Sequence, residues 1–159
     1  MNPGSWALWG FVGTVVLTIG LAASQRFGIT RMNIPYMLGV MFTPNRDRAK
    51  VLGVLIHFVN GWLFSLLYVA AFESWQRTGF LFGAAIGLVH GLFALSIVLP
   101  FLPGIHPRMA SESRGPEVVE QLEPPGFFAL NYGVQTPASV IVTHVSFGAI
   151  IGAFYVLSG

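Results

Sequence analysis

Of 159 residues, 54% are hydrophobic and only 9% are charged, and none is cysteine. Soluble domains carry roughly a quarter charged residues, so this composition excludes an ordinary water-facing fold, a disordered chain and a nucleic-acid-binding module. Without cysteine, disulfides, thiolate metal sites, iron–sulfur clusters and cysteine nucleophiles are excluded too. The net charge of +2 comes from eight basic residues against six acidic ones, and in so apolar a chain the position of those charges matters more than their sum.

A hydrocarbon core of about 30 Å needs about 20 apolar helical residues. Four stretches meet that requirement: about 6–23, 51–72, 79–102 and 137–157. They predict an all-α polytopic membrane protein, one domain over 1–159 with four transmembrane helices. The first five residues carry no basic charge, so span one is expected to persist rather than be cleaved as a signal peptide. The segment 34–42 is too short to cross and is expected to lie at the interface or to dip in as a re-entrant turn. Within it Met37 and Met41 share a helical face, and Met32 and Met109 fall on the same side of the membrane. Thioethers suit Cu(I), although methionine as apolar filler is the commoner use. Span two is predicted to start at Thr43 as N-cap with Pro44 in the first turn. Between spans three and four, the loop over 103–136 holds Glu112, Glu117, Glu120 and Glu123, with a short helical turn expected at 118–122 and either a partner surface or a solvated connection as its use.

Seven of the eight basic residues fall on one side: Arg26, Arg31, Arg46, Arg48, Lys50, Arg108 and Arg114, with Arg77 alone opposite. The positive-inside rule makes that side cytoplasmic and puts both termini in the periplasm or exterior of a bacterial inner membrane. Trp6, Trp9 and Trp75 are expected as anchors at the outer interface.

The histidines are the informative residues. His57, His90 and His144 fall inside spans two, three and four, where an ionisable side chain is costly and marks a functional site by default. At about 1.5 Å per residue, His57 and His144 lie about 5 Å to the cytoplasmic side of their span centres and His90 within about 3 Å of its own. His57, Gly61, Ser65 and Tyr68 follow one helical stripe, and His144, Gly148, Gly152 and Tyr155 repeat its spacing. Gly83, Gly87, His90, Gly91 and Ala94 form a third. Small residues at this spacing let backbones approach, which turns each histidine towards a neighbouring helix rather than lipid. The matched pattern suggests two hairpins in a diverged parallel repeat, with Gly13 of span one taking the position of His90. His106, beside Pro107, reads as an interfacial loop residue.

The run Thr43-Pro44-Asn45-Arg46-Asp47-Arg48, the segment Ile56-His57-Phe58-Val59-Asn60-Gly61, the His106-Pro107-Arg108 loop and the Thr143-His144 motif with Gly148 resemble an uncharacterised family of small bacterial four-span integral membrane proteins. The resemblance covers most of the chain after span one. It implies a polytopic inner-membrane protein and carries no activity with it.

Three imidazoles at one depth suit a Zn or Cu ion. Asn60, Gly61, Gly87 and Gly148 are grouped with His57, His90 and His144 as binding residues. Asn60, Ser65, Thr143, Ser146, Thr14 and Thr18 are the candidates to orient the rings. No carboxylate lies within a span, so no general base for hydrolysis is evident and no catalytic residue is assigned. A haem or other tetrapyrrole is the second ligand, with Phe58, Trp62, Phe93 and Phe147 to pack on it. Either would make the chain a small redox or accessory subunit. The different class is a scaffold subunit whose histidines only tie helices together through hydrogen bonds. The lipid bilayer is the expected partner in every case, with other membrane subunits or a homo-oligomer beside it and no nucleic acid.

Overall fold

The computed structural model describes residues 1–111 and 122–158. Among these residues the chain is helical, with no strand and a single isolated bridge between Met109 and Leu122. In chain order the elements are α1 (Pro3–Arg26), α2 (Ile34–Val40), α3 (Arg46–Trp75), α4 (Phe80–Phe93), a π-turn (Ala94–Val98), α5 (Leu99–Ile105), a 3₁₀ segment (Phe127–Tyr132) and α6 (Thr136–Phe154). The run α4–π-turn–α5 forms one continuous span, Phe80–Ile105, so four helices are long and apolar enough to cross a membrane. The protein is an all-α polytopic bundle. The expected helical turn at 118–122 falls on residues 118–121 outside the described ones, as do Glu112, Glu117, Glu120 and Arg114.

Asparagine starts three helices. The side chains of Asn2, Asn33 and Asn45 accept the backbone N–H groups of Ser5, Tyr36 and Arg48 at 3.0, 2.9 and 3.0 Å. Each satisfies a donor that the first helical turn leaves open. The cap of α3 is therefore Asn45 and not Thr43. Thr43 Oγ1 instead accepts the N–H of Asn45 at 3.2 Å, which leaves Pro44 outside the helix. α3 starts two residues later than predicted and runs past the predicted end to Trp75, with Asp47 and Glu73 in its terminal turns.

Outward faces are as apolar as inward ones. Leu81 is 80% exposed, Phe101 70% and Val89 66%, a pattern suited to lipid, where packing rather than hydrophobic burial holds helices together. The tightest seam joins α4 to α6. A Cβ at Gly83 would run into the carbonyl of Gly148, and one at Gly87 into the carbonyl of His144. Only glycine permits that approach. α1 packs on both α3 and α6.

Both chain ends meet at Glu73. Its Oε1 accepts from Tyr155 Oη at 2.6 Å and from the Ser158 N–H at 3.0 Å, and Ser158 Oγ donates to Oε2 at 2.5 Å. The Met1 ammonium lies 3.7 Å from the same carboxylate. α6 stops at Phe154, earlier than predicted, because Tyr155 turns extended to reach this carboxylate. The opposite end carries Arg26, Arg31, Arg46, Arg48, Lys50 and Arg108.

At that basic end α2 is pressed onto α3. A Cβ at Gly39 would collide with the carbonyl of Ala49, and one at Gly53 with that of Pro35. The segment 34–42 is thus mainly a short helix docked on the bundle. His106, expected as an interfacial loop residue, follows α5 and is fully buried, with 0% accessibility. Its Nε2–H donates to the Met37 carbonyl at 2.9 Å and its Nδ1 accepts the Arg108 N–H at 3.1 Å. Arg108 Nη1 then donates to the carbonyls of Val40 and Met41 at 2.6 and 3.2 Å, closing the C-terminus of α2. A guanidinium is suited to the exposed carbonyls and negative pole of a helix end.

Candidate functional site

The stripes that carry the histidines face inward. His57, Gly61, Ser65 and Tyr68 are all buried on α3, and Gly148, Gly152 and Tyr155 are buried on and just after α6. His57, His90 and His144 line one cavity of about 180 Å³, with Asn60 and Gly61 beside them. Gly87 and Gly148 do not line it. They are the points where α4 and α6 touch, which fixes the helices that bear His90 and His144.

The cavity opens where the third span loses its regular hydrogen bonding. Pro100 has no N–H for the carbonyl four residues back, and its ring crowds that carbonyl. The π-turn at 94–98 lies just upstream, and Ser96 Oγ donates to the Leu92 carbonyl at 2.7 Å. Insertions of this kind widen a helix locally and occur often at functional sites. Ala94 and Val98 of this turn form part of the cavity wall.

The rings of His90 and His144 meet edge to face, with centroids 4.8 Å apart and planes at 86°. Phe64 stacks on His90 at 5.1 Å. Tyr68 Oη lies 2.9 Å from His90 Nδ1, a bond between α3 and α4. His144 Nδ1 donates to the carbonyl of Val140 at 2.8 Å, because a carbonyl can only accept. That bond selects the tautomer whose Nε2 carries a lone pair. His57 Nε2 is buried with no hydrogen-bond partner. Leaving a buried polar atom unpaired costs about 1–3 kcal/mol. Among the described residues, no three His, Asp or Glu side chains stand close enough together to hold one metal ion.

Of the side chains expected to orient the rings, only Asn60 lies at the cavity. Ser65 accepts Trp6 Nε1–H at 2.8 Å. Thr14, Thr18 and Thr143 bond to carbonyls of their own helices, and Ser146 faces a separate groove between α1 and α6. Phe93 and Phe147 line the cavity, whereas Phe58 and Trp62 lie on another face, against Phe11 and Trp6. Gly13 does not occupy a fourth histidine position at the cavity, since it faces Phe147 and Ile151.

Three residues at the site escaped the sequence-based reading as parts of it. Tyr68 was visible on the His57 stripe, but its bond to His90 depends on how α3 meets α4. Met32 and Met37 also line the cavity, at 3% and 2% exposure. Met41, expected on the face of Met37, does not. Comparison of the chain with protein-family models, curated proteins and solved structures gave no match.

Proposed function

We propose that this chain is an integral protein of the bacterial inner membrane, with both termini on the periplasmic or exterior side, whose histidine-lined cavity binds a metal ion. It would serve as a small redox or accessory subunit. The observation that carries this reading is the buried, unpartnered Nε2 of His57, a residue that lines the same cavity as His90 and His144. Metal-ligating histidines almost always commit their second ring nitrogen to another group. His144 does so through Val140 and His90 through Tyr68. Binding draws the three rings together, and no hydrogen bond at His57 Nε2 opposes its rotation.

The volume bears on the choice of ligand. Pockets for drug-sized molecules run to about 300–1,000 Å³, and this cavity measures about 180 Å³. An ion fits, whereas a tetrapyrrole requires the helices to part. The scaffold reading draws its support from the Tyr68–His90 bond, which ties α3 to α4 without any ligand.

Purified protein in mild detergent, loaded with Zn or Cu and washed, tests the proposal by elemental analysis. Stoichiometric metal that is lost in His57→Ala, His90→Ala and His144→Ala supports it. A protein that holds no metal after loading contradicts it and leaves the scaffold reading. A Soret-type band in the visible spectrum would replace the ion by a tetrapyrrole.

A further inference from the structure

We infer that the ion is Cu(I), held by the thioethers of Met32 and Met37 together with imidazoles of the cavity, an inference that rests on the metal reading above. Three observations converge on it. Met32 and Met37 are nearly fully buried and line the same cavity as His57, His90 and His144. Met37 is held in place by more than apolar packing: His106 bonds its carbonyl, Arg108 bonds the two carbonyls that end α2, and Gly39 and Gly53 seat α2 directly on α3. Apart from Asn60 the remaining wall is apolar, with Leu17, Phe64, Phe93 and Phe147 and no carboxylate.

Charge decides between the metals. Imidazole and thioether are both neutral ligands, so the loaded site carries the full charge of its ion. The cost of burying an ion in a low-dielectric medium scales with the square of its charge, about fourfold more for a divalent than for a monovalent ion. Zinc sites in proteins offset that cost with thiolates or carboxylates or keep contact with water. This cavity offers neither anion. A soft, singly charged ion that accepts thioether sulfur satisfies both conditions, and Cu(I) is the biological ion of that kind.

The test is anaerobic titration of the full-length protein in detergent, with Cu(I) delivered from a chromogenic chelator, Ag(I) as the redox-silent substitute and Zn(II) as the rival. Cu(I) and Ag(I) are expected to bind more tightly than Zn(II), and X-ray absorption at the copper edge is expected to show sulfur as well as nitrogen neighbours. Met32→Leu/Met37→Leu, which nearly conserves volume, is expected to weaken Cu(I) about tenfold or more and to remove the sulfur shell. Met41→Leu, away from the cavity, leaves both unchanged, and the single variants Met32→Leu and Met37→Leu carry the test if the double variant does not fold. Zn(II) held as tightly as Cu(I), or a copper shell of nitrogen alone, overturns the choice of ion but leaves the metal site standing. Failure to bind any of the three ions overturns both.

Discussion

The third and fourth spans are built differently in the two halves of this bundle. Towards the chain termini, α4 and α6 close backbone to backbone at Gly83 and Gly148, and the space between helices is filled by Phe72, Phe82 and Tyr155. Towards the basic end the π-turn and Pro100 interrupt the third span, and a cavity lies beside them with His57, His90, His144, Met32 and Met37 on its wall. Close glycine contact leaves no room for a ligand. A site inside lipid therefore needs a local interruption of helix packing, and the interruption must have its own freed backbone groups satisfied. His106 and Arg108 supply that satisfaction at α2.

Disrupting the closed half should have the largest effect. Gly83→Leu drives a side chain into the backbone of α6, and overpacking of this kind costs about 1–3 kcal/mol or more. Chemical denaturation in detergent should show a large loss of stability, whereas an unchanged midpoint would mean that the seam is looser than described. His106→Leu removes the donor to the Met37 carbonyl and the acceptor for the Arg108 N–H, and is expected to cost about 1–3 kcal/mol. Proteolysis near α2 should also quicken.

Smaller changes sharpen the contrast between a satisfied histidine and an unsatisfied one. Tyr68→Phe deletes the hydrogen bond to His90 and should cost about 0.5–1.5 kcal/mol. His57→Leu should act with the opposite sign, raising the stability of the metal-free protein by about 1 kcal/mol because it removes a buried atom with no partner. If it destabilises instead, His57 is held by contacts that a leucine cannot replace. The smallest effect is with pH. Tyr132, outside the spans, is pushed up to about 12, first by burial and then by the nearby Glu123 carboxylate. An unfolded tyrosine loses its proton near pH 10, so this group's contribution is complete below that pH and falls as the pH rises towards 12. Tyr132→Phe should flatten part of that fall in an alkaline melt.

Spans, stripes and the grouping of His57, His90 and His144 were legible in the sequence because lipid enforces length and because small residues at helical spacing mark the packing face. The ends of the spans were less so. Thr43-Pro44 and Asn45 are both reasonable starts for α3, and only the reach of the Asn45 side chain to Arg48 chooses between them. Glu73 drew no expectation from the sequence, because its partners, Tyr155 and Ser158, lie more than eighty residues away. The same holds for His106, whose burial depends on α2 folding back under the bundle. Methionine gives no local signal that separates filler from ligand, so Met32 and Met37 gained meaning only from their place on the cavity wall.

The central claim is that three imidazoles share one ligand while the fourth does not. Nitrogen NMR of protein labelled at histidine, titrated anaerobically with diamagnetic Cu(I), reads each ring separately. The account predicts that the Nε2 resonances of His57, His90 and His144 move together to a common endpoint, and that those of His106 stay where they are. Shifts confined to His106, or no shift at any of the four, would contradict it.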